Sequence, residues 1–115
     1  MGIYKGLIVA MLAVAAAGCA PPRAQFEAGV EVMRGSPAAR QKVHRECMTA
    51  AARMTAKEKA DMAMALNTSP ARVGSLACSR IVAGITSGRL SYDDIRDLSS
   101  GRITPKMVRL LQGRR

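Results

Sequence analysis

The chain has no tryptophan, one phenylalanine and two tyrosines among its 115 residues. So few rings leave little on which bases could stack, and no nucleic-acid partner is expected from that side. One histidine, His44, and three cysteines complete a thin stock of metal ligands and acid–base groups. Acidic residues are scarce as well, with eight Asp and Glu against 18 Lys and Arg, a net charge of +10. No apolar run approaches the ~20 residues that a helix needs to cross a bilayer core. Neither a G-x-S-x-G elbow nor a G-x-x-x-x-G-K-[ST] phosphate loop occurs. With 49% hydrophobic residues the chain can still bury a core, as one domain at most. These shortages together point to a binding or structural protein without a cofactor, not an enzyme.

What is present begins at the N-terminus. Lys5 and the α-amino group precede Leu7 to Ala17, eleven uninterrupted apolar residues. As a helix they would span about 16 Å, half of a bilayer core. A short apolar stretch behind positive charge has the form of a secretory signal. It ends in Ala16-Ala17-Gly18-Cys19, with Ala16 where a larger aliphatic residue is usual. This resembles the lipobox of bacterial lipoprotein signal peptides. The resemblance implies removal of residues 1–18 and lipidation of Cys19. An ordinary secretory cut at the Ala15/Ala17 pair is the alternative. Two or more acyl chains give stable membrane attachment where one does not. Ala20, rather than Asp, follows the cysteine and, by the family's sorting habit, implies the outer membrane facing the periplasm. Residues 19–35, opening on Pro21-Pro22, are expected to form a lipid-anchored tether, and residues 36–115 the folded domain.

In an oxidising envelope Cys47 and Cys78 have one intramolecular pairing open to them. Closing that loop would stabilise the domain by about 3.7 kcal/mol in the chain-entropy model. In a reducing compartment the same two residues would serve as small core hydrophobes.

From Ser36 onward one scheme recurs: a cap residue, often then proline, an apolar stripe, and a glycine or asparagine stop. Ser36-Pro37 opens a helix to about Met54, with Val43, Cys47, Ala50, Ala51 and Met54 on one face. Thr55-Ala56-Lys57-Glu58 reads as a capping box for a helix to Leu66. Ser69-Pro70 opens a third with Val73, Leu76, Ala77, Ile81, Val82 and Ile85 along one side. Ser91 and Thr104-Pro105 open the last two. Phe26, Val30 and Met33 share a helical spacing, enough for a short amphipathic turn. Without period-two alternation or hairpin turns, the fold class is all-α, a bundle of four to five short helices stapled by one disulfide.

Chemistry is harder to find. His44, Cys47 and Met48 fall within one helical turn, but the cysteine is better used in a disulfide than on a soft metal. Asp93 and Asp94 complement a helix dipole without needing a cation, and Asp97 follows them. Met62 to Arg80 resembles a helix-turn-helix, which offers a DNA-binding alternative if the chain is not exported. An envelope enzyme of unrecognised type is a third reading. Most suggestive is Arg89, Arg96, Arg102, Lys106, Arg109, Arg114 and Arg115, crowded into the last third. Arginine forks suit phosphate and carboxylate, so the cluster is a candidate contact for lipid phosphates, lipopolysaccharide, peptidoglycan or an envelope protein. An ordinary solvated basic surface is its plainer reading.

Overall fold

The computed structural model describes residues 22–114. Among the described residues six α-helices form an all-α bundle: α1 Arg23–Gly35, α2 Pro37–Ala51, α3 Ala56–Leu66, α4 Val73–Thr86, α5 Tyr92–Ser99 and α6 Pro105–Leu111. A single 3-10 turn, Pro70–Arg72, precedes α4.

The caps fall where the sequence put them. Ser36, Thr55, Ser91 and Thr104 each accept a backbone N–H from three residues on, satisfying a helix-start donor that would otherwise face water alone. At Thr55 and Ser91 the third residue, Glu58 or Asp94, bonds back to complete the capping box. Asn67 ends α3 in the left-handed region, at φ 54°.

Four helix ends are closed by side chains from neighbouring elements. Arg34 of α1 donates to the Thr86 carbonyl at the end of α4, and Arg40 of α2 to the Met33 and Arg34 carbonyls at the end of α1. Arg80 of α4 donates to the Leu111 carbonyl ending α6, and Gln112 to the Ala65 carbonyl near the end of α3. The last carbonyls of a helix have no partner of their own, and a cation there also complements the dipole. Part of the arginine excess is therefore spent on joining helices.

Central in the bundle is α4, whose Val73, Ala77, Cys78, Val82, Gly84 and Ile85 are all buried. The core around it holds Val30 and Met33 of α1, Leu66 of α3, Leu90, and Met107, Leu110 and Leu111 of α6. Gly84 lets α6 approach: a Cβ there would lie 2.8 Å from Leu110 Cδ1 and 3.0 Å from Leu90. The α2 helix has no fully buried residue; its half-buried Ala39 and Val43 pack against this core, and the bridge adds a covalent tie. Cys47 and Cys78 are disulfide-bonded with Cα atoms 5.7 Å apart, inside the usual range.

The expected tether differs from the structure. Residues 23–35 are not tether but helix, and α1 contributes Val30 and Met33 to the core. Pro22 does keep an extended backbone, at φ −55° and ψ 147°. Proline is well tolerated at a helix start, where its missing N–H is not needed, so Pro22 introduces α1 rather than preventing it. The signal segment and Cys19 lie outside the described residues.

Candidate functional site

Helix directions give the molecule two ends. At one end, the start of α1 meets the start of α5: Arg23 lies over the Tyr92 ring at 4.7 Å, and Phe26 meets Tyr92 edge-on with centroids 5.6 Å apart. Along α4 toward its N-terminus come the Ser79–His44 pair at 3.4 Å, then the disulfide, then Gly74 against Ala51 and Met48. The 14 residues of α4 alone separate the ends by about 20 Å at ~1.5 Å per residue. We call the α1/α5 end proximal, because the described chain begins there, and the other distal.

The proximal half uses its charges internally. Asp93 pairs with Arg23 at 3.3 Å and Arg96 at 3.5 Å, Asp97 with Arg102 at 3.8 Å, and Asp94 with Lys106 at 2.6 Å. With Glu31–Arg34, these are all the ion pairs among the described residues. Burial pushes the Asp94 carboxyl up, but the Lys106 ammonium and the Ser91 N–H and hydroxyl outweigh it and hold it below the ordinary aspartate value.

The predicted anion-binding cluster is thus divided. Arg96, Arg102 and Lys106 face the three aspartates, and Arg89 donates to the Arg114 carbonyl. Arg109 and Arg114 are exposed, with no carboxylate partner among the described residues, and Arg115 lies outside them. A short-range charge count over the last third missed these pairings because two of them cross between elements.

A different group of cations belongs to the segments that form the distal end. There a cleft of about 530 Å³, open to solvent, runs between the end of α2, the start of α3, the 3-10 turn and the start of α4. Its walls are Met48, Ala51, Ala52, Met54, Ala56, Pro70, Ala71, Val73 and Gly74, with Ser75 and the half-buried Lys59 as polar members. Arg53, Lys57 and Arg72 alternate in sequence with wall residues and are exposed. None of these four cations has a carboxylate within ion-pair distance among the described residues. The nearby Glu58 carboxylate is engaged by the Thr55 N–H at 3.2 Å, and Asp61 sits further along α3. The sequence signal for this site was available in the lysines and arginines flanking both helix breaks, but not the cleft between them.

No group of three or more His, Cys, Asp or Glu among the described residues is placed to hold a metal, and no helix there is long and apolar enough to cross a membrane. Compared with protein-family models, curated proteins and solved structures, the chain matches none.

Proposed function

We propose that this is a lipid-anchored protein of the bacterial cell envelope whose basic helical domain binds a partner or an anionic envelope component, without catalysing a reaction. The observation that carries the proposal is the Cys47–Cys78 bridge in a chain whose opening resembles a lipoprotein signal. A disulfide persists in an oxidising compartment, so bridge and signal agree on one address. The start of α1 sharpens the picture. Only Ala20, Pro21 and Pro22 separate Cys19 from Arg23, about 13 Å of extended chain. The proximal end is then held close against the lipid headgroups, with the distal end facing away. The DNA-binding alternative would make α4 a recognition helix, which needs an exposed polar face. Ser75, Ser79 and Ala83 are its exposed residues, too few to read a groove.

Cys19→Ser tests the anchor. Membrane-fraction protein should move to the soluble or unprocessed pool in the variant. Unchanged membrane association would refute lipid attachment.

A further inference from the structure

The distal cleft combines three properties that narrow its occupant. Its walls are mostly methyl groups and two methionine side chains, which adapt to irregular apolar shapes. Its volume of about 530 Å³ suits one or two side chains, not a folded surface. Lys59 lines it, and the exposed Arg53, Lys57 and Arg72 are sequence neighbours of its wall residues, while the carboxylate nearest them in sequence, Glu58, accepts the Thr55 N–H of its own helix cap. Lys59 is the informative member: its partly buried side chain lines the apolar wall, and with no carboxylate within ion-pair distance among the described residues its ammonium can meet a ligand carboxylate without giving up an ion pair.

We infer that the distal cleft docks an acidic peptide segment: an apolar side chain enters between α2 and α4, and flanking carboxylates meet Lys59, Arg53, Lys57 and Arg72. Several spread cations match a segment bearing several carboxylates better than an amphiphile with a single head. Position argues against bilayer lipid, because α4 holds the cleft about 20 Å from the end where the chain enters. This deepens the proposed interaction role by naming the ligand class; its preference for peptide over bilayer lipid rests on the proposed anchor, whereas the binding measurement does not.

The test uses full-length protein in mild detergent and a fluorescein-labelled peptide of alternating leucine and glutamate, read by anisotropy. Its leucine–lysine counterpart and laurate serve as the other probes. Saturable, salt-sensitive binding of the glutamate peptide is expected, with no binding of the lysine peptide. The double reversal Lys59→Glu/Arg72→Glu should weaken it at least about tenfold. Ala52→Leu, which fills the cleft from an exposed helix end, should do so without altering charge. Retention of the Cys47–Cys78 bridge and of the helical circular-dichroism signal checks that both variants fold. Equal binding of the two peptides, undiminished binding in both folded variants, or saturation by laurate alone would overturn the inference. Membrane fractionation of the same preparations reads the anchor separately, so failure of one reading leaves the other standing.

Discussion

The proximal and distal ends use the same kind of residue for opposite purposes. Near α1 and α5, arginine and lysine meet aspartate, and the positive charge of that region is largely answered inside the molecule. In the segments that form the cleft between α2, α3 and α4, Lys59 lines an apolar wall and Arg53, Lys57 and Arg72 adjoin wall residues in sequence, none with a carboxylate within ion-pair distance among the described residues. Net charge alone would have favoured the C-terminal third as the binding surface. Partner geometry favours the other end. Surface ion pairs such as Arg23–Asp93 are worth about 0–1 kcal/mol, so the proximal network does little for stability. It does make that end closer to neutral.

Removing the disulfide should break this contrast most severely. Cys47→Ala/Cys78→Ala is expected to cost about 3–4 kcal/mol in chemical denaturation. Because α2 buries no residue fully and the bridge ties it to α4, its distal half should lose hydrogen-exchange protection before α6, which buries Met107, Leu110 and Leu111. Uniform loss across all helices would mean the two ends unfold as one unit.

Gly84→Ala probes the proximal core next. Its Cβ would need Leu110 or Leu90 to shift, an overpacking cost of about 1–3 kcal/mol by thermal or chemical unfolding. Binding at the distal cleft should survive where the variant remains folded.

Asp94→Asn is the mildest of the three. It removes a capping-box carboxylate and the Lys106 pair, for about 1 kcal/mol. The Asp94 carboxyl is held below its ordinary value in the folded state. Its contribution is therefore fully present above the unfolded value of about 3.9 and fades as pH falls through the lowered one. Wild-type stability measured from pH 6 downward should decline more steeply over that interval than the variant's.

Much of the fold was legible because helix starts are local. Ser36-Pro37, Thr55 through Glu58, Ser91 through Asp94 and Thr104-Pro105 each carry their cap within four residues. Pairing of Cys47 with Cys78 followed from there being one intramolecular choice. The α1 helix was hidden because Pro21-Pro22 suggested an extended tether, although Phe26, Val30 and Met33 already had helical spacing. The break at Arg72 was also missed: Ser69-Pro70 begins a 3-10 turn rather than α4 itself. Least legible was the fate of the arginines. Arg23 meets Asp93 across 70 positions and Arg80 reaches Leu111 across 31, separations that no local pattern records.

Depth in the membrane tests the two-ended arrangement most directly. A fluorescent amino acid placed at exposed Ala24 or at exposed Ala71 would be compared in vesicles whose headgroups carry a quencher. Strong quenching at Ala24 and little at Ala71 is the predicted result, with the cleft turned toward the aqueous side. Equal quenching at both positions, or stronger quenching at Ala71, would contradict it.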